Sequence, residues 1–233
     1  MQYQLDVPRL GSDILNQTHT IIGGTTGAGK SVLLDQVCYC LFASSPARNA
    51  AVLIDPKKVE LSRFVAYPHV WRYAETMPQI VQALRDVTGL MDRRYQDMKA
   101  RGLQNYDGVT VYVIIDELAH IATDSPEALG LLVSLGRLGR AAGIHIIAAT
   151  QSPDRKTLTA QLQQNFTARA ALRCRDRIES RQILGAPGAE LLPKIGKCLY
   201  YSPDALQPVP VDVLKVPPEW WARLGAIYGI RTA

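Results

Sequence analysis

Short apolar runs rich in Ile, Val and Ala alternate along the chain with longer stretches whose apolar positions recur every three or four residues. The first pattern is that of strands buried on both faces, the second that of helices laid over them. The runs predict strands at 18–23, 51–55, 70–73, 109–116, 145–151, 167–173 and 196–201. A further strand is expected at 209–213, where neighbouring prolines suit a sheet edge. Helices are expected over 30–41, 77–101, 126–142 (ended by Gly143) and 178–184, with a short helix end at 161–165. In the longest of these, Ile80, Val81, Leu84, Val87 and Met91 keep helical spacing. Gly102 is its stop, and Asn105, Asp107 and Gly108 mark a loop. Trp220 and Trp221 fall on a terminal helix after Pro217 and Pro218.

No linker divides the chain, so one α/β domain is expected: a mostly parallel sheet flanked by helices on both faces. Residues 1–17 read as a short lead-in, in which Tyr3, Leu5 and Val7 alternate like a remnant edge strand. Residues 18–214 form the main domain, and 215–233 a helix packed on it.

The turn after the first strand changes this picture from a fold into a chemistry. Gly24-Thr25-Thr26-Gly27-Ala28-Gly29-Lys30-Ser31 fits G-x-x-x-x-G-K-[ST], between a predicted strand and a predicted helix, with Val32 continuing the helix. Glycines let successive N–H groups curl round a phosphate, and the helix N-terminus adds a favourable dipole. In such a loop Lys30 reaches the β- and γ-phosphates of ATP and Ser31 ligates magnesium. The fold is therefore expected to be that of a P-loop NTPase, RecA-like.

An acidic pair follows the most apolar strand, as Val113-Ile114-Ile115-Asp116-Glu117. Ligands of open parallel sheets bind at the strands' C-terminal edge. Asp116 is expected to hold magnesium through its water shell, and Glu117 to orient or deprotonate the attacking water. The plainer reading is two solvated carboxylates capping the next helix. Gln151, closing the next strand, offers an amide that can touch the γ-phosphate; its plain reading is a strand-end turn residue.

Composition adds boundaries. Hydrophobic residues make up 47% and charged residues 20% of the 233 residues, the balance of a globular protein. No apolar run approaches the ~18 residues of a membrane span, and the N-terminus lacks the pattern of a signal peptide, so a cytoplasmic location is expected. Cys38, Cys40, Cys174 and Cys198 match no zinc spacing and read as buried thiols. A net charge of +5 suits a polyanionic partner without requiring one.

The chain resembles the motor domain of FtsK/SpoIIIE-type DNA translocases, within the HerA/FtsK branch of P-loop ATPases. The resemblance runs from about residue 18 to 201. It is carried by GGTTGAGKS, by Ile54-Asp55-Pro56-Lys57 with Glu60-Leu61, by Met91-Asp92-Arg93-Arg94-Tyr95 and by VYVIIDELA. Arg140-Ala141-Ala142-Gly143-Ile144-His145 leading into Ala149-Thr150-Gln151, Glu179-Ser180-Arg181 and Gly188-Ala189-Glu190 add to it.

The resemblance implies an ATP- and magnesium-dependent motor that forms a hexameric ring round double-stranded DNA, with ATP between neighbouring subunits. It places an arginine finger at Arg169, although Arg173, Arg175 and Arg177 lie close by. It puts Arg181 at the start of a pore-facing loop, with Lys194 and Lys197 farther along as further candidates for phosphate contacts. Each of these cations also reads as plain surface charge. His120 stands where the family commonly has an acid, and reads as a packed or capping histidine. The family's membrane anchor, long linker and winged-helix module are not expected in this chain.

Two other functions compete. One is a related ATPase that moves protein in a secretion system. The other is a non-hydrolysing adaptor, against which the complete set Lys30, Ser31, Asp116 and Glu117 argues.

Overall fold

The computed structural model describes residues 7–151, 153 and 157–230. Tyr3 and Leu5, two members of the suggested N-terminal strand, lie outside them. The described chain runs α1 (Arg9–Leu15), β1 (His19–Gly23), α2 (Lys30–Phe42), β2 (Asn49–Ile54), β3 (Val70–Ala74), α3 (Met77–Arg101) and β4 (Thr110–Ile115). It continues with α4 (Leu118–Asp124), α5 (Pro126–Leu138), β5 (Ile144–Thr150), α6 (Ala160–Asn165), β6 (Ala168–Ala171) and α7 (Arg177–Leu184). It ends with β7 (Lys197–Tyr201), β8 (Val209–Asp212) and α8 (Pro218–Tyr228).

The strands form one sheet in the order β3-β2-β4-β5-β1-β6-β7-β8. The first six are parallel, and β7 and β8 join antiparallel. Pro210 lies in β8, whose position at the sheet edge spares it the second ladder that a proline cannot serve.

Alternate residues of the central strands enter two different cores. Ile21, Val52, Val113, Ile115 and Ile146 pack with residues of α3, α4 and α5 on one face. Ile22, Leu53, Ile114 and Ile147 pack with α1, α2 and α8 on the other. This double burial is why the strands are apolar throughout rather than alternating.

Two helices were not expected from the sequence, and one helix end is corrected. The lead-in contains a helix, α1, whose Leu10 and Ile14 are buried in the α2 core. Its N-cap, Pro8, makes no side-chain cap bond, so it lacks a start signal. Between the acidic pair and α5 the chain forms α4, and Ser125 closes it and caps α5 by accepting from the Ala128 N–H at 3.1 Å. The helix expected to 142 ends at Leu138. A Cβ on Gly139 would lie 2.5 Å from the Leu135 carbonyl and 3.0 Å from that of Ile144, and residues 139–143 turn directly into β5. All four cysteines are buried and free.

Arg94 staples the edge of the sheet opposite the P-loop. Although only 5% exposed, it comes from α3 and donates to the carbonyls of Ala142 (2.7 Å), Gly143 (3.3 Å) and Val109 (2.6 Å). Its guanidinium stacks 4.2 Å from the Tyr106 ring centroid. One planar cation thus fixes the entries to β4 and β5. Arg94→Ala would leave these carbonyls without their charged donor and is expected to cost about 3 kcal/mol, read as a lower urea midpoint. Lysine, a point charge without the fork, is not expected to restore it.

Candidate functional site

The C-terminal ends of β1, β2, β4 and β5 lie at one edge, because the strands are parallel and adjacent in register. Each delivers part of one site. After β1 the chain turns through Gly24 (φ 158°), Gly27 (φ 77°) and Gly29 (φ 103°), conformations that side-chain-bearing residues rarely adopt. Gly29 is the left-handed N-cap of α2, and no side chain caps that helix. Its first N–H groups therefore face the loop without an intrahelical partner, which is the cradle a phosphate needs. The Thr25 N–H and hydroxyl both donate to the Arg173 carbonyl, at 2.9 and 3.1 Å, fastening the loop to the segment after β6.

Lys30 and Asp116 form a buried ion pair, 5% and 1% exposed, with Nζ 2.6 Å from Oδ1 and 3.0 Å from the Asp116 carbonyl oxygen. Burial pushes the Asp116 carboxyl up, and Lys30 pulls against it. The second oxygen, Oδ2, is buried with no hydrogen-bond partner among the described residues. Ser31 donates its hydroxyl to Glu60 Oε1 at 2.5 Å.

Glu117 occupies the N-cap position of α4 yet does not cap it. Its carboxylate takes the Lys57 ammonium at 2.9 Å on one oxygen and the Gln151 N–H at 3.1 Å on the other. Burial alone would raise its pKa, but these two bonds, the Lys57 charge and a hydrogen bond from the Thr150 side chain together outweigh burial, and the net direction is down. The Thr26 hydroxyl donates to the Gln151 side-chain oxygen at 3.2 Å, joining the end of β5 to the phosphate loop. Thr25, Thr26 and Gln151 line a cleft of about 650 Å³ that continues to Arg175 and Gln182 at the start and face of α7. The set Lys30, Ser31, Asp116, Glu117 and Gln151 thus comes together.

Of the other sequence candidates, Arg169 stands apart on β6. Its guanidinium donates to the carbonyls of Gln163 (3.1 Å), Phe166 (3.3 Å) and Ile183 (3.5 Å), and burial lowers its pKa. It lines a separate cleft with Tyr201, Gly185 and Pro208. Arg181 lies within α7 rather than at the start of a loop. It is exposed and, like Lys194, has no side-chain partner among the described residues. Lys197 pairs with Asp212 across β7 and β8 at 2.6 Å, which offsets its charge locally. Arg175 and Arg177 pair with Glu179 and Glu190. His120 is exposed on α4 and neither packs nor caps, contrary to expectation.

Sequence reasoning assigned no role to Lys57 or Glu60. The available signal was their position just past β2, at the same edge as the P-loop.

The residues present suit a magnesium nucleotide. Ser31 and the unpartnered Asp116 oxygen offer hard oxygen donors beside the phosphate cradle. Among the described residues no group of three or more His, Cys, Asp or Glu forms a metal cage. No helix among the described residues is long and apolar enough to cross a membrane.

A model of the FtsK/SpoIIIE family matches residues 8–112. The chain is 34% identical over 223 residues to the DNA translocase FtsK of Lactiplantibacillus plantarum and 31% over 230 residues to that of Chlamydia trachomatis. Both alignments cover 86% of this chain, which spans 28% of either relative's length. Among solved structures, the pCW3 conjugation coupling protein TcpA, determined with ATPγS, superposes with a TM-score of 0.77 at 23% identity. That match covers 88% of this chain and 62% of TcpA. The cytoplasmic domain of the Thermomonospora curvata type VII secretion ATPase EccC also gives 0.77, at 25% identity, over 86% of this chain and 26% of EccC.

Proposed function

Because the chain belongs to the FtsK/SpoIIIE family, we propose that it is the motor core of a DNA translocase. It hydrolyses ATP as a hexameric ring on double-stranded DNA, on the cytoplasmic side, in DNA segregation or conjugative transfer. The observation that carries this reading is the meeting of Lys30, Ser31, Asp116, Glu117 and Gln151 at one sheet edge.

Residues 24–32 wrap the phosphates. Lys30 leaves Asp116 for the β- and γ-phosphates, which frees that carboxylate for magnesium beside Ser31. The ion supplies positive charge that offsets the phosphate oxygens. Glu117 orients a water in line with the γ-phosphorus. The water oxygen bonds to phosphorus as the bond to the bridging oxygen breaks. The electron pair leaves with ADP, and the water proton passes to Glu117 or to phosphate. Gln151, hydrogen-bonded to the phosphate loop, registers loss of the γ-phosphate. Arg169 reaches the site of the adjacent subunit. Arg181, Lys194 and Lys197 meet the DNA backbone, with Lys197 weakened in that role by Asp212.

The likeness to EccC supports a second reading, transport of protein. One assay separates the two: ATP hydrolysis with and without long duplex DNA, with Glu117→Gln as the blank. Several-fold stimulation by duplex, absent from the blank, is expected. A rate indifferent to DNA would rule out the DNA motor in favour of the protein-handling one.

A further inference from the structure

The turn after β2 serves both halves of the site. Asp55 is wholly buried. Its Oδ2 accepts the Leu61 N–H at 2.9 Å and its carbonyl accepts the Lys58 N–H at 3.0 Å. These two bonds fold residues 56–60 back on themselves, with Lys58 in the left-handed region at φ 61°. For a residue with a side chain that conformation is strained, and here the surrounding bonds impose it. The result sends two side chains of opposite charge to two different motifs. Lys57 goes to Glu117, and half-buried Glu60 goes to Ser31.

The direction of the Ser31 bond matters. A hydroxyl has one proton and two lone pairs. With its proton committed to Glu60 at 2.5 Å, its lone pairs are turned away from Glu60. The nearby Asp116 keeps one oxygen buried and without a hydrogen-bond partner among the described residues. A hydroxyl that ligates a cation does so through a lone pair while its proton goes to an acceptor. Groups that hold ligands in this way are part of the metal's affinity.

We propose that Glu60 is a positioning residue for the nucleotide's magnesium: by accepting the Ser31 proton it fixes the serine oxygen with a lone pair toward the ion. This rests on Ser31 and Asp116 being the magnesium side of the site.

The test uses the whole chain and a fluorescent, non-hydrolysable ATP analogue, titrated with magnesium and separately in EDTA. Glu60→Ala is expected to weaken magnesium's effect on nucleotide binding by about 10–100-fold, with affinity in EDTA unchanged. Glu60→Gln keeps an acceptor for the hydroxyl without the charge, and should lose less. It also serves if the alanine variant fails to fold, since its loss must then exceed error. Wild-type magnesium dependence in a folded Glu60→Ala, or an equal loss in EDTA, would overturn the proposal. A wild-type chain whose nucleotide binding ignores magnesium would instead overturn the assignment of Ser31 and Asp116.

Discussion

Glu117→Gln is expected to bind ATP as the wild type does and to hydrolyse it about 10²–10⁴-fold more slowly. Glutamine keeps the volume, and its carbonyl can still accept the Gln151 N–H that Glu117 takes at 3.1 Å. The ion pair with Lys57 is lost, but Lys57 is 32% exposed and can return to water. Folding should therefore change little, and a deep loss of turnover would belong to chemistry. The net downward shift of the Glu117 pKa bears on how it works. A carboxylate held in its charged form is a weaker base, and phosphoryl transfer passes through a loose transition state that asks little of one. Its main task is then to hold and orient the water.

The same shift predicts the acid limb. A depressed carboxyl stays ionised until pH falls below the ordinary glutamate range, so Glu117 should not limit the rate between neutrality and about pH 5. Single-turnover hydrolysis and nucleotide affinity, measured side by side on the two proteins, would settle the point. A variant that turns over at the wild-type rate would remove Glu117 from the mechanism.

How far the sequence carried this site depends on distance along the chain. The phosphate loop is local: a strand, three glycines with positive φ and a helix start, all within residues 19–31. The doubly buried strands were equally visible, because apolar runs need no partner to be recognised. The acidic pair could be placed at a strand end, but not in its contacts. Whether Glu117 caps a helix or waits for water depended on Lys57, sixty residues away, and on Gln151. Those meet it only because β2 and β5 flank β4, an order that no local pattern encodes. Glu60 escaped for the same reason. Helix α1 escaped because it is seven residues long and opens without a capping side chain. For Arg169 the pattern gave the strand but could not say that its guanidinium would lie against three carbonyls of its own chain.

That last geometry makes Arg169 the sharper test. In the isolated subunit it is a structural cation, half-buried and without a carboxylate partner among the described residues. A finger must instead reach a neighbour's γ-phosphate, and its contacts, at 3.1–3.5 Å, are long for charged donors and can be given up. Arg169→Ala is expected to lower DNA-stimulated turnover by about 10³-fold or more while leaving nucleotide binding by the single subunit intact. Loss of structure alone could mimic the first effect, so the deciding measurement is complementation. Arg169→Ala keeps its own hydrolytic site, and Glu117→Gln keeps the arginine it offers a neighbour. In an equimolar mixed ring, about a quarter of the interfaces pair an intact site with an intact finger. Two nearly inactive proteins should then regain activity on mixing with duplex DNA. Mixtures that stay inactive, although mixed rings form, would return Arg169 to a role within its own subunit. The finger would then have to be sought at exposed Arg173, whose backbone carbonyl already holds the phosphate loop through Thr25.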